Sequence, residues 1–272
     1  MPFFEYSFLG LTFLIGVVLL LICVLCLAIW QPTKFGYGIL GRNFGCVQHD
    51  RLGWFETAGV ITVLVFYLCQ WVVEGVPDKP PRVTIAYLVG QTVLQFAFML
   101  TICVVLARRV SLSKIWGLKV RRYYFAMLVG AAGFLLHTLL LEILWHLGIE
   151  KHAKLLFPVD MASVPRLIVY DAKKFWGVWA FLIVFVVPVT EEVVFRGFLY
   201  PVLKKSGGPL LAAMTVSVFF AVGHLDGRNL LPHFFLSLIL IASYEMTGSL
   251  WAPIGIHILN NGLVFAEDVL HF

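Results

Sequence analysis

The sequence predicts an all-α protein, a polytopic transmembrane helix bundle of about eight spans that encloses a polar chamber between its later helices. The chain is 61% hydrophobic and only 13% charged, and its mean hydropathy is +0.93. Soluble domains are typically about 45–50% apolar and about 25% charged. Several apolar runs also reach the roughly 20 residues that a helix needs to cross a bilayer. We therefore expect an integral, multi-pass protein of the cell membrane.

The basic residues of the chain indicate contact with a lipid bilayer and not with a nucleic acid. The net charge is +5, and six of the fifteen residues from 108 to 122 are lysine or arginine. Basic residues concentrated in loops between apolar runs set membrane topology and contact lipid headgroups. Nothing in the sequence resembles a basic surface interleaved with aromatic residues, so nucleic-acid partners are excluded.

Four spans are predicted in the first part of the chain, each ending at proline, glycine or charged residues. Their ranges are 8–30, 57–73, 83–107 and 124–147. The fourth span contains His137, Glu142 and His146, for which we expect a structural or cavity-lining role. Residues 148–174 follow as an amphipathic connection that is suited to lying along the membrane surface.

Four further spans are predicted in the second part, at 175–203, 210–224, 231–246 and 250–266. Gly207-Gly208 supplies a tight turn, and Pro209 is a favoured first residue of the next helix. A second turn, Thr247-Gly248-Ser249, leads into the last span. The sequence therefore divides into residues 1–174, which form N-terminal helices and the connection, and residues 175–272, which form a later helix bundle.

The later bundle contains three charged residues within an apolar run, Glu191, Glu192 and Arg196. A charge at the centre of a spanning helix costs roughly 2.5–3.5 kcal/mol, so these groups must pair, face a wet cavity or take part in chemistry. Glu192 and Arg196 are four residues apart and share a helix face. Glu191 lies about 100° round the helix and has no such partner, which suits a general base. Pro188 frees a backbone carbonyl nearby. The alternative is a buried structural ion pair.

An imidazole is predicted at the depth of Glu191 on the neighbouring helix. The Gly207-Gly208 turn falls midway between Glu191 and His224. In an antiparallel helical hairpin, residues equidistant from the turn lie abreast, here roughly 20–25 Å from it at about 1.5 Å per residue. A functional acid–imidazole pair is favoured over a histidine that only packs.

The last span carries His257 and Asn261, which are four residues apart and project from one face. Both side chains can donate hydrogen bonds to a developing oxyanion. The alternative is ordinary hydrogen bonding between membrane helices, for which histidine and asparagine are also used.

Taken in order, these residues resemble the CAAX prenyl protease type II family, also called CPBP or Abi. The resemblance covers about residues 175–265 and rests on three motifs: Glu191-Glu192-x-x-x-Arg196, Phe220-x-x-x-His224 and His257-x-x-x-Asn261. It implies an intramembrane endopeptidase of the glutamate type. Its substrate would be a membrane-associated protein or peptide, lipidated in the CAAX-trimming members.

By this resemblance, Glu191 and His224 activate a water, and His257 and Asn261 stabilise the oxyanion. The resemblance also implies that Glu192 and Arg196 shape the site. The same Glu and His side chains could serve as zinc ligands with an open position. No HExxH motif is present, and we favour a mechanism without metal or other cofactor. A non-catalytic immunity protein or a transporter is the remaining alternative, although the sequence shows no internal repeat.

Overall fold

The computed structural model describes residues 45–47, 56, 58–59, 85–108, 110–118, 123–148, 176–224 and 230–270. Within these ranges the regular structure is helical throughout and includes no strand, so the predicted all-α class is confirmed. The first two predicted spans and the connection at 148–174 lie outside the described residues, except for residues 58, 59 and 148.

Seven helices are described. They are α1 (Ile85–Ala107), α2 (Leu112–Ile115), α3 (Tyr123–His146), α4 (Trp176–Gly207), α5 (Pro209–Gly223), α6 (Leu230–Thr247) and α7 (Trp251–Leu270). The six predicted spans that fall on described residues therefore each correspond to one helix. Gly208, with φ of 84°, makes the predicted turn between α4 and α5, a backbone conformation that glycine adopts without steric cost.

Three of these helices are long and apolar enough to cross a membrane: Tyr124–His146, Trp176–Gly207 and Leu230–Thr247. α5 is apolar but shorter. The prediction of about eight spans is thus supported for three within the described part of the chain. α3 exposes several large apolar side chains, among them Met127, Leu128 and Leu135, which is expected of a surface that faces lipid and not water.

α4 contains two wide turns of π-helix, Leu182–Val186 and Phe195–Leu199, each followed closely by a proline. A proline in a helix cannot donate to the carbonyl four residues earlier. For Pro201 that carbonyl belongs to Gly197, and it accepts instead from the Trp116 indole Nε1 at 3.0 Å. A side chain at residue 197 would not fit, because its Cβ would lie 2.7 Å from the same indole nitrogen.

The helices pack so that α4 and α6 form the centre of the described bundle. α4 contacts α1, α5 and α7, and α6 contacts α3, α5 and α7. Apolar side chains on these faces are completely or almost completely buried, including Leu199, Phe220, Leu240 and Ile256. The acidic motif of α4 therefore lies inside the bundle, where α5, α6 and α7 surround it.

Candidate active site

Glu192 and Arg196 form a fully buried ion pair on α4. Arg196 Nη1 lies 2.9 Å from Glu192 Oε1, and neither side chain is accessible to solvent. The guanidinium also donates through Nη2 to the Ser237 hydroxyl at 2.8 Å and lies 4.5 Å from the centre of the Phe220 ring. Because Ser237 is on α6 and Phe220 on α5, Arg196 ties three helices together and is held in one position.

His257 shares the same carboxylate, a contact that the sequence analysis did not anticipate. His257 Nδ1 lies 2.8 Å from Glu192 Oε1, the oxygen that also accepts from Arg196. A carboxylate in an ion pair accepts hydrogen bonds and does not donate, so Nδ1 carries the proton. The second ring nitrogen, Nε2, is directed toward Glu191, with 3.7 Å between Nε2 and Glu191 Oε2.

Glu191 lies between two imidazoles without a direct hydrogen bond to either. Its Oε2 is 3.7 Å from His257 Nε2 and 3.9 Å from His224 Nε2. These distances exceed the usual range for hydrogen bonds, about 2.7–3.2 Å. Oε2 is buried and has no hydrogen-bond partner, although 17% of the side chain remains accessible. Separations of this size between polar groups are typically bridged by water.

His224 follows the last residue of α5, and its ring orientation is determined by a backbone carbonyl. Nδ1 lies 2.7 Å from the Phe220 carbonyl oxygen. A carbonyl only accepts, so Nδ1 carries a proton. When the ring is neutral, the lone pair of Nε2 therefore faces Glu191. The predicted match in depth between Glu191 and His224 is observed as the 3.9 Å separation of their side chains.

The structure adds His233, at the start of α6, which the sequence analysis missed. Its ring stacks on that of His224, with 4.1 Å between the ring centres and 22° between the planes. The Phe220 ring also packs on the His224 imidazole, with 4.6 Å between the ring centres. No local spacing in the sequence links residues 224 and 233, because their contact depends on how α6 packs against α5.

Asn261 is held by a carbonyl that Pro188 has released. In a regular α-helix, Val187 N–H would donate to Ile183 O. In the π-turn before Pro188 it donates to Leu182 O. The next residue in line is Pro188, which has no N–H. Ile183 O is therefore left without its helical donor, and it accepts from Asn261 Nδ2 at 3.1 Å. Asn261 in turn accepts from Asn260 Nδ2 at 3.4 Å.

The structure thus brings together Glu191, Glu192, Arg196, His224 and His257, which we call the site cluster. Asn261, the remaining predicted site residue, makes its described hydrogen bonds outside this cluster, with Asn260 on α7 and with Ile183 O on α4. Glu142 and His146 form an exposed pair on α3, 3.2 Å apart, with 68% and 75% of their side chains accessible, and they lie away from this cluster. Among the described residues, no group of three or more His, Cys, Asp or Glu side chains is arranged to hold a metal ion.

The arrangement defines a class of protein: an all-helical bundle with membrane-length helices that buries an acid–imidazole cluster between them. Residues 173–263 match the family model described as Type II CAAX prenyl endopeptidase Rce1-like. This segment contains all six predicted site residues, and it confirms the resemblance drawn from the three motifs.

A second comparison gives a similar protein from Bacillus subtilis (strain 168), named "Putative membrane peptidase YdiL". The two chains are 29% identical over 77 residues, which is 28% of this chain and 32% of the relative. The similarity therefore spans about a third of the relative's length. No solved structure matches the chain.

Proposed function

We propose that the protein is an intramembrane endopeptidase that hydrolyses a peptide bond of a membrane-associated protein or peptide. The observation that carries the proposal is the Glu191 carboxylate, whose buried Oε2 lies between the Nε2 atoms of two histidines without a protein partner. A general base for hydrolysis needs a free acceptor atom and a bound water within reach. The family match supports a CAAX-type membrane protease at the level of the class.

In the proposed reaction, a water lies between Glu191 and His224. Glu191 takes one proton from this water as its oxygen attacks the carbonyl carbon of the scissile bond. The lone pair of His224 Nε2, which the bond to Phe220 O leaves facing Glu191, accepts a hydrogen bond from the second proton. When the tetrahedral intermediate collapses, Glu191 returns its proton to the leaving amine, so the carboxylate is regenerated.

His257 and Asn261 are proposed to stabilise the oxyanion of that intermediate. Because Nδ1–H of His257 is directed to Glu192, Nε2 can donate only when the ring is an imidazolium. Glu192 would then accept from two cations, the imidazolium and the Arg196 guanidinium. Asn261 uses one N–H for Ile183 O and retains the second for a substrate. Such donors act on charge that develops in the transition state.

Quantitative peptidomics of membranes tests the proposal. Membranes that carry the wild-type protein are compared with membranes that carry Glu191→Gln, which keeps the volume of the side chain and removes the proton acceptor. At least one membrane peptide should be cleaved only with the wild type. Identical peptide profiles at equal expression would contradict the peptidase function.

A further inference from the structure

His137, on α3, is an imidazole whose position the proposed reaction does not explain. Only 3% of the residue is accessible, and neither ring nitrogen has a hydrogen-bond partner. The Pro232 backbone and the Asn260 side chain are polar groups beside the ring, and neither forms a hydrogen bond with it. A buried polar group left unsatisfied costs about 1–3 kcal/mol. An isolated imidazole at this position would therefore destabilise the fold, so its presence calls for a functional reason.

The position of Asn260 connects this imidazole to the candidate site. Asn260 Nδ2 donates to Asn261 Oδ1 at 3.4 Å, and Asn261 Nδ2 donates to Ile183 O at 3.1 Å. The carbonyl of residue 183 can only accept, so the amide of Asn261 has one possible orientation, with its oxygen toward Asn260. The side chain of Asn260 thus fixes the oxygen end of Asn261. Gly130 and Gly133 of α3 pack against Ala252 and Ile256 of α7. His137 and Asn260 each lie one turn farther along these two helices, so they lie side by side.

We propose that His137 is a positioning residue that holds Asn260 and, through Asn260, the oxyanion donor Asn261. The link runs from α3 to α7 through a water beside the His137 ring, and on to the π-turn of α4 through Asn261. It rests on the proposed function for its effect on catalysis, but the contact between His137 and Asn260 can be measured without any activity. α3 lies outside the segment that the family model matches, so the family match does not assign this role.

The kinetic test uses His137→Leu, with His146→Leu as the matched control. Both variants replace a histidine of α3, but His146 is exposed. We expect His137→Leu to lower kcat about 10- to 100-fold, the cost of a small misplacement of a catalytic group, with KM within about twofold. His137→Gln should recover part of the loss because it restores a polar group. His146→Leu should behave as wild type.

A double-mutant cycle separates positioning from general damage to the fold. If His137 acts through Asn261, His137→Leu should cost little further once Asn261→Ala is present, because the effects of coupled residues do not add. A full, additive loss in the Asn261→Ala background would overturn the proposal. So would a His137→Leu enzyme whose kcat stays within about twofold of the wild type.

An NMR measurement tests the same link if no peptidase activity is found. The chain has four asparagines, Asn43, Asn229, Asn260 and Asn261, so selective ¹⁵N labelling gives few side-chain amide signals. His137→Leu should shift the signals of Asn260 and Asn261, and His146→Leu should not. Unchanged signals would overturn the proposal whatever the enzyme does. If His137→Leu does not fold, Asn260→Ala replaces it and should shift the ¹⁵N signals of the His137 ring; constant ring signals would equally overturn it.

Discussion

α4 carries two buried polar clusters that differ in how completely their atoms are paired. One is the site cluster. The other, the Lys204 cluster, consists of Tyr200, Lys204, Glu245 of α6 and the backbone of Val47. Glu245 Oε1 accepts from Tyr200 Oη and from Lys204 Nζ, both at 2.6 Å, and its Oε2 accepts from Val47 N at 3.2 Å. Lys204 Nζ also donates to Val47 O at 3.2 Å.

In the site cluster, by contrast, three buried atoms have no hydrogen-bond partner: Glu191 Oε2, Glu192 Oε2 and Arg196 Nε. Native proteins rarely leave buried polar atoms unsatisfied, and the exceptions are typically atoms that bind water or have a catalytic role. Both clusters bury charge in one helix, so burial alone does not distinguish them. The atoms without a partner do distinguish them, because they occur in the site cluster, to which we assign the proposed reaction. For the Lys204 cluster we propose a role in stabilising the fold.

The largest effect expected from this contrast is that of Glu191→Gln. The amide keeps the shape of the side chain but cannot accept the proton, so kcat should fall by about 10²–10⁴, the usual contribution of a general base. The melting temperature should stay close to that of the wild type, because no described hydrogen bond of Oε2 is lost. The rate is measured on the peptide that peptidomics identifies. Turnover near the wild-type rate would remove Glu191 from the mechanism.

Breaking the Glu192–Arg196 pair should have the next largest effect, which we expect to be a loss of folding stability. Glu192→Gln or Arg196→Met leaves one charge uncompensated in a fully buried position, which costs about 3–5 kcal/mol. The double variant should be more stable than the sum of the single changes predicts. A thermal unfolding cycle measures this coupling, and strictly additive effects would show that the two charges act independently.

His257→Ala and Asn261→Ala should each lower kcat by about 10²–10³, with a smaller effect on KM, as expected on removing an oxyanion donor. A zinc ligand would behave differently, because its loss would strip the metal and added zinc would restore part of the activity. Elemental analysis of the wild type and His257→Ala separates the two. One tightly bound zinc per chain, absent from the variant, would replace the metal-free mechanism and leave the peptidase function standing.

The smallest effect is expected in the Lys204 cluster. Tyr200→Phe removes only the hydroxyl that donates to Glu245 at 2.6 Å and leaves the Lys204–Glu245 ion pair in place. Loss of a hydrogen bond to a charged group should destabilise the protein by about 1.5–3 kcal/mol. The kcat of the folded protein should be unchanged. Chemical denaturation and steady-state kinetics of the same preparation measure both quantities.

Helical spacing was enough to predict the local pairs of the site but not the contacts between distant helices. The four-residue spacing of Glu192 and Arg196 predicts their ion pair. The position of the turn at Gly208 predicts that His224 lies near Glu191. That His257 would bind Glu192 depends on how α7 packs against α4, which no local spacing determines. The stacked His233 depends in the same way on the return of the chain into α6.

The sequence also contains a signal of the Lys204 cluster. Glu192, Arg196, Tyr200 and Lys204 follow one another at intervals of four residues, so a single polar stripe runs along α4. The stripe would have indicated that a second buried polar partner lies beside residues 200 and 204. It does not identify Glu245, which lies on α6, two helices further along the chain.

The most direct test of the contrast between the clusters is a paired measurement on Glu191→Gln and Tyr200→Phe. The first change removes a proton acceptor from the site cluster, and the second removes a hydroxyl from the Lys204 cluster. Each variant is assayed for both kcat and the free energy of unfolding. We predict a crossed result: Glu191→Gln loses turnover and keeps its stability, whereas Tyr200→Phe loses stability and keeps its kcat. An active Glu191→Gln variant would contradict the proposed roles of the two clusters, as would a Tyr200→Phe variant that loses turnover while its stability is intact.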